Sequence, residues 1–384
     1  MKWIQGLLII LVAGLGVVPA TGDADLTALK RTVVADYATL VYATYQDALA
    51  GARTLSASVD AFVESPGADS LQRARQAWID ARIPYTQTEA FRFYDGPIEA
   101  VEGLINSWPI DENLIDYVEG DPHAGVINHV EQFPAITSEL LVSLNEKGGE
   151  KNITAGFHAI EFLLWGQDLN DDGPGQRTFL DYVDGHAPHA SRRREYLRVA
   201  SRLLVRNLET VTEEWAPHNA SNYRARFIAL PPDEALACIL KGVGILSGSE
   251  LAGERLTVPY ETKDQEDEHS CFSDNTHEDI VNDIVGIENV FTGQYLTASG
   301  ERIHGHGLRD LLARVNPALA RTLGREIAAS VAAARAVPAP FDRAILGTDA
   351  APGRVAVRKL ITALRAQADS IAEAGAVLGA KLNF

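Results

Sequence analysis

A histidine and a glutamate stand three residues apart in the segment GFHAIE at positions 156–161. On a helix this spacing places His158 and Glu161 on one face, about one turn apart. An imidazole and a carboxylate so arranged can share one metal ion, as ligand pairs do in helical bundles. The same spacing also fits a hydrogen bond that joins the pair within a core, so spacing alone leaves both interpretations open.

The residues around this pair are almost all apolar: Phe157, Ile160, Phe162, Leu163, Leu164 and Trp165. A helix that is apolar on every side is buried, and an ionisable pair is costly to bury unless it is compensated. The motif is not that of a zinc peptidase, because H-E-x-x-H is absent and Phe162 occupies the second-histidine position of H-x-x-E-H. The sequence therefore predicts a buried pair that needs partners.

A second chemical group lies in the string QEDEHSCFSDNTH at positions 265–277. Three successive acids, two histidines and a thiol occur within it. As a charge run it fits a solvated loop, but Cys271 and Phe272 favour partial burial. Its side chains can add ligands to a metal site at the mouth of a bundle. The candidate ligands are Glu266, Asp267, His269 and Asp274.

A third group follows Pro84, where Glu89 and Arg92 are spaced to pair along a helix. In one interpretation the pair lies on the surface. In the other, Glu89 supplies a further inward carboxylate to the metal site.

The overall charge of the protein limits which classes of molecule can bind to it. The chain has 384 residues, with 34 Lys and Arg against 52 Asp and Glu, and a formal net charge of −18. Neutralising phosphates requires a basic surface, so we expect no nucleic-acid partner. A cation is a suitable partner for an acidic protein.

The first 20 residues have the order of a secretory signal. Lys2 precedes an apolar run from Leu7 to Ala13, and Val18-Pro19-Ala20 offers a cleavage site. We expect residues 1–20 to be removed and the mature chain to lie in the periplasm, free or peripheral to the outer membrane. No later segment looks long and apolar enough to cross a bilayer.

The mature chain is predicted to be all-α. Apolar residues recur at helical spacing from Leu26 to Phe62, and Pro84 is expected to kink or break a second helix. Further helices are predicted over 123–145, 154–165, 188–215, 233–253, 276–291, 307–336 and 352–380. We divide the chain into a signal peptide (1–20), an N-terminal helical half (21–258) and an acidic loop with a C-terminal half (259–384). Weak similarity between the halves suggests a duplication.

Two cysteines, Cys238 and Cys271, are present. Export permits a disulfide bond between them, and two buried thiols are the alternative.

Four segments together resemble the imelysin family of exported bacterial proteins. GFHAIEFLLWG at 156–166 is similar to the family's G-x-H-x-x-E signature. The others are PYTQTEAF at 84–91 with GPIE at 96–99, ELAGER at 250–255, and QEDEHSCFSDNT at 265–276. The resemblance implies two packed bundle-like halves, a site near their junction and a link to iron acquisition. It also implies that His158 and Glu161 are metal ligands.

These observations predict a periplasmic metal-binding protein that acts in iron uptake or handling, with an iron-transport or outer-membrane component as its partner. The expected cofactor is a divalent or trivalent metal ion, iron first, with zinc or copper as alternatives. The main alternative function is a secreted imelysin-type metallopeptidase, for which no general base or full ligand set is evident. A binding module for a peptide or a haem-like ligand is the third.

Overall fold

A computed structural model describes residues 21–170 and 173–380, so the predicted signal peptide lies outside the described residues. The α-helices within these ranges are α1 (Thr21–Glu64), α2 (Ala68–Gln87), α3 (Gly125–Asn128), α4 (Ser138–Leu144), α5 (Gly156–Trp165), α6 (Ala190–Glu214), α7 (Tyr223–Ala229), α8 (Pro232–Ile245), α9 (Thr257–Thr262), α10 (Thr276–Thr292), α11 (Leu308–Val315), α12 (Pro317–Arg335), α13 (Phe341–Ile345) and α14 (Pro352–Leu378). A π-helical segment, Leu246–Arg255, continues α8. Short 3-10 turns are Thr88–Phe91, Pro97–Ala100, Glu102–Leu104, Glu112–Leu114, Phe179–Tyr182 and Gln265–Asp267.

The N-terminal bundle consists of α1, α2, α5 and α6. The apolar residues of α1 that set its helical period, from Val33 to Phe62, are buried against α2 and α6. Aromatic rings fix α5 on α2: Trp78 packs edge-on against Phe157 and donates its indole N–H to the Phe157 carbonyl at 2.9 Å. This packing holds the helix that carries His158 inside the bundle.

The C-terminal bundle consists of α8 with its π-helical continuation, α10, α12 and α14. The two bundles meet where α10 packs against α2 and where α8 contacts α1. The predicted all-α fold of two packed helical halves is confirmed. The boundary at residue 258 stays a prediction.

Two sequence-based helix assignments are wrong in detail. The predicted helix 123–145 consists of two short helices, α3 and α4, because Gly125 has a positive φ of 82° and Pro134 stands in the connecting turn. The predicted helix 307–336 is broken between α11 and α12. Asn316, which precedes Pro317, leaves the helical conformation there with φ −147° and ψ 81°, and it caps α12 through its side chain. At Pro84 a break was one of two expectations, and it is wrong. Helix α2 continues through Pro84 to Gln87 before it tightens into a 3-10 turn. The kink stays a prediction.

A small hairpin was not predicted from the sequence. Strand β1 (Gln294–Leu296) pairs antiparallel with β2 (Arg302–His304), with Tyr295 opposite Ile303. The strands have three residues each, which is too short to leave a recognisable alternating pattern.

One helical segment among the described residues, Pro232–Thr262, is long and apolar enough to cross a membrane. The expectation that no segment after the signal would meet this criterion is therefore wrong. Most of its apolar stretch is buried inside the protein, as in the core helix of a folded domain.

Both cysteines are free thiols. Cys238 is half-buried on α8, whereas Cys271 is buried in the loop before α10. The structure therefore agrees with the alternative of unpaired thiols.

The start of α5 depends on a close backbone approach. Gly156 has a φ of +85°, and a Cβ atom at this position would lie 2.5 Å from the carbonyl oxygen of Ile105. The next residue, Phe157, donates its N–H to the same carbonyl at 2.7 Å. A side chain at Gly156 would push α5, and with it His158, away from this loop.

We expect Gly156→Ala to lower the free energy of unfolding by about 1–3 kcal/mol from backbone strain, and further because of the contact with Ile105. Gly120→Ala is the matched control, because Gly120 has a φ of +84° with nothing within 4 Å of the added Cβ. Urea denaturation followed by circular dichroism measures both. Equal losses in the two variants would show that the Ile105 contact is unimportant.

Candidate metal centre

The His158–Glu161 pair of α5 is buried, with 1% and 0% of the two residues exposed. His158 Nδ1 lies 2.9 Å from Glu161 Oε2. The other oxygen, Oε1, accepts hydrogen bonds from Ser273 N at 2.9 Å and Ser273 Oγ at 2.7 Å. Both oxygens of Glu161 are thus engaged by protein atoms.

The second ring nitrogen of His158 differs from the first. Nε2 is buried and has no hydrogen-bond partner within residues 21–170 and 173–380. Leaving a buried polar atom unpaired costs roughly 1–3 kcal/mol, so each such atom calls for an explanation. A ligand that binds Nε2 is one explanation.

His269, from the loop before α10, forms a second carboxylate–histidine pair. Its ring lies 4.8 Å from that of His158, measured between centroids, with 68° between the planes. His269 Nδ1 lies 3.1 Å from Asp279 Oδ2. In both pairs a carboxylate holds Nδ1, which is the arrangement found behind metal-ligating histidines.

Asp279 is the centre of a buried polar network. Arg82 of α2 donates to both of its oxygens, from Nε at 3.1 Å and from Nη2 at 2.6 Å. Ser270 Oγ and Asn275 Nδ2 donate to it at 2.6 and 3.0 Å. Burial alone would raise the pKa of Asp279, but the Arg82 charge and His269 hold it well below its usual range. Asp279 is therefore ionised at neutral pH.

The histidines are neutral. Burial, followed by the charge of Arg82, holds the pKa of His158 well below 6.5. Burial and the charge of Arg255 do the same for His269. A neutral imidazole keeps a lone pair on one ring nitrogen, as metal binding requires.

Glu89 lies in an adjacent ion-pair network. Its Oε2 atom is 2.6 Å from Arg255 Nη2 and 2.9 Å from Arg92 Nη1. The predicted pairing with Arg92 is therefore present, but it is buried rather than superficial. Asn106 links the networks, because it accepts from Arg82 Nη1 at 2.5 Å and donates toward Glu89 Oε1 at 3.4 Å. The Glu89 carboxylate thus faces two guanidinium groups instead of the imidazole pair.

The remaining loop acids lie further out. Glu266 is exposed, and Asp267 and Asp274 are half-buried. Within the described residues, no hydrogen bond or ion pair joins these three to His158 or His269. Burial and the neighbouring Asp342, Asp168 and Glu161 raise the pKa of Asp274 to about 7. Of the sequence candidates, only His158, Glu161 and His269 meet in one cluster.

Arg82, Asp279 and Ser273 belong to this cluster but were not among the candidates. Asn275 precedes α10, and the Asp279 side chain is buried instead of capping the start of the helix. The sequence did contain one indication of this: Asp279 lies among the residues of α10 that face inward, beside Ile280.

A cavity of about 360 Å³ opens beside His269, and we call it the acidic cavity. Its lining consists of Arg92, Glu102, Asn106, Ser107, Trp108, Pro109, Glu146, Glu150, Glu250, Glu254, Arg255 and His269. Across the described ranges, no three His, Cys, Asp or Glu side chains are placed to hold one metal ion by themselves. An ion at the imidazole pair would therefore keep water or other external ligands.

A family model for imelysin matches residues 41–371. The chain belongs to the imelysin family. The resemblance seen in the four sequence segments is thereby confirmed.

Individual proteins that are similar to this chain agree with its membership of the imelysin family. Iron-regulated protein A of Synechococcus elongatus is 26% identical over 363 residues, covering 92% of this chain and 87% of that protein. A protein from Parabacteroides distasonis, assigned as an iron-regulated protein A precursor, has a TM-score of 0.69 at 21% identity over 90% of this chain and 95% of that one. An imelysin-like protein from Psychrobacter arcticum has a TM-score of 0.64 at 16% identity over 93% and 98%. At these identities the two solved structures show a shared imelysin fold alone.

The buried Glu161 carboxyl generates a prediction about pH. Burial, only partly opposed by Ser273 and Arg82, raises its pKa from 4.5 to about 8. Between these pH values the folded protein keeps a proton that the unfolded chain releases. Stability from this group is therefore present below about pH 4.5 and declines as the pH rises toward 8.

We expect Glu161→Gln, which cannot ionise, to remove this decline. The stability of the original protein relative to the variant should fall with pH by up to about 1.4 kcal/mol per unit. Urea denaturation at pH 5, 6, 7 and 8 measures it, with exposed Glu131→Gln as control. A difference that stays constant over this range contradicts the raised pKa.

Proposed function

We propose that this chain is an exported protein that binds a metal ion, iron first, at the imidazole pair of His158 and His269. It acts in iron uptake or handling, with a membrane transport component as its partner. The observation that carries the proposal is the buried Nε2 atom of His158, which has no hydrogen-bond partner in the described part of the chain while Nδ1 is held by Glu161. The name of the Synechococcus relative, iron-regulated protein A, supports iron as the metal.

In this proposal Glu161 orients the ligand instead of binding the ion. A cation at Nε2 needs the lone pair of that nitrogen, so the ring proton must lie on Nδ1 and point to an ionised Glu161. Binding of the cation therefore displaces the proton that Glu161 holds at neutral pH. Ser273 holds the carboxylate by two hydrogen bonds, which fixes the ring. Asp279 holds His269 in the same way. Imidazole nitrogens suit iron, and also zinc and copper.

The peptidase alternative has no specific support from the site. A metallopeptidase needs a base free to take a proton from metal-bound water. Both oxygens of Glu161 are engaged by His158 and Ser273. We therefore do not extend the proposal to peptide hydrolysis.

The proposal that the protein is exported depends on the signal-like residues 1–20. It predicts that these residues are cleaved from the mature protein. We expect the protein recovered from the periplasm to begin at Thr21, because cleavage follows Ala20. Intact-mass spectrometry of the osmotic-shock fraction checks this. A variant without residues 2–20 should stay in the cytoplasm, and a periplasmic protein with residues 1–20 intact would contradict cleavage.

We expect His158→Ala to lose stoichiometric iron binding, because it removes the nitrogen that carries the site. Anaerobic calorimetry and elemental analysis measure binding, and thermal melting followed by circular dichroism checks folding. His218→Ala is the matched control, since His218 is exposed and its Nε2 lies 3.3 Å from Glu213 Oε1. A folded His158→Ala protein with full iron content would refute the proposal.

Glu161→Gln provides a test if His158→Ala fails to fold. Losing the carboxylate behind a metal-ligating histidine lowers metal affinity by about tenfold to a hundredfold. We expect that loss in a variant that remains folded, because Gln can still bond His158 and Ser273. Unchanged affinity in Glu161→Gln would contradict the orienting role.

A further inference from the structure

We propose that the acidic cavity admits iron as the hydrated ferrous cation and excludes anionic ferric chelates. This inference rests on the proposed function, because it names the form of iron that reaches the same imidazole pair. It depends on the charges that line the cavity together with His269. It also depends on the ring of His158, which lies 4.8 Å from that of His269 and whose Nε2 is buried without a hydrogen-bond partner among the described residues.

The two arginines of the cavity wall are paired with carboxylates. Arg92 Nη1 lies 2.9 Å from Glu89 and 3.1 Å from Glu102. Arg255 lies 2.6 Å from the same Glu89 and 3.8 Å from Glu250, a half-buried glutamate of the cavity lining. Each guanidinium group thus faces protein carboxylates, which reduces its attraction for an anion.

Three further glutamates add uncompensated negative charge. Glu146, Glu150 and Glu254 line the cavity and are exposed. Glu146 accepts a hydrogen bond from the neutral Ser107 hydroxyl at 3.1 Å. Within the described part of the chain, no ion pair neutralises these three side chains. The entrance to the imidazole pair is therefore negative at neutral pH.

The charge, and not the size, decides which form of iron enters. A cavity of about 360 Å³ lies within the range of small-molecule sites, which begins at about 300 Å³. A small chelate would fit, but its negative charge is repelled by the glutamates. A hydrated divalent cation is attracted by the same charges.

The ferrous form follows from the chemistry of the free ion. Ferric iron outside a chelate hydrolyses and precipitates at neutral pH, whereas the hydrated ferrous ion stays in solution. Neutral imidazole is also a ligand for divalent iron. The cavity therefore collects the ion from water, and His158 with His269 binds it.

The test compares two probes and two matched variants by anaerobic calorimetry at low salt. The probes are ferrous chloride and ferric citrate. One variant carries Glu146→Gln, Glu150→Gln and Glu254→Gln. The control carries Glu131→Gln, Glu234→Gln and Glu301→Gln, which removes the same charge from exposed positions outside the cavity. All six side chains are exposed, so both proteins should fold.

We expect the unaltered protein and the control to bind ferrous ion and to show no binding of ferric citrate. Each cavity carboxylate should contribute about twofold to threefold in affinity for a divalent ion, so the triple variant should bind about eightfold to twenty-sevenfold more weakly. The difference in ferrous affinity between the cavity variant and the control should become smaller in about 0.5 M salt, because exposed charges are then screened.

The outcomes separate this inference from the proposed function. Failure of the unaltered protein to bind iron in any form refutes the proposed function. Ferric citrate binding as tightly as ferrous ion, or equal ferrous affinity in the cavity variant and the control, refutes the inference alone if His158→Ala still abolishes binding.

Discussion

The ion pair between Arg82 and Asp279 joins the parts of the molecule on which the site depends. Arg82 belongs to the N-terminal bundle and Asp279 to the C-terminal one, and both are 1% exposed. Asp279 also accepts from the Ser270 hydroxyl of the intervening loop. Removing one partner of such a buried pair costs about 3–5 kcal/mol, because the other charge stays buried and unpaired. The two bundles and the loop are therefore held in one arrangement at this point.

The two carboxylates behind the histidines have opposite properties because their neighbours differ. Asp279 contacts a guanidinium group and stays ionised. Glu161 contacts an imidazole and the neutral Ser273, so burial raises its pKa. One histidine is thus backed by a permanent charge and the other by a group that can gain or lose a proton. The pair with the variable charge is also the one whose outer ring nitrogen, His158 Nε2, has no hydrogen-bond partner among residues 21–170 and 173–380.

Local sequence patterns correctly predicted the features that depend on the spacing of neighbouring residues. The apolar period of α1 and the one-turn spacing of His158 and Glu161 both reappear in the structure. The breaks in the predicted helices also have local causes, namely the positive φ of Gly125 and the proline after Asn316. Both breaks could have been predicted from the sequence, since glycine and proline commonly interrupt helices.

Local patterns could not predict which residues contact the site residues, because those residues are distant in the sequence. Arg82 and Asp279 are 197 positions apart, and Glu89 and Arg255 are 166 apart. Glu89 was therefore expected to point toward a metal, whereas a distant arginine engages it.

The hydrogen bonds of Ser273 bear on how the loop before α10 moves. Its backbone N–H and hydroxyl both donate to the buried carboxylate of α5. Amide hydrogens so enclosed exchange with deuterium only when the surrounding structure opens. We therefore expect the Ser273 amide to exchange as slowly as the helices around it, since this end of the loop is fastened to α5.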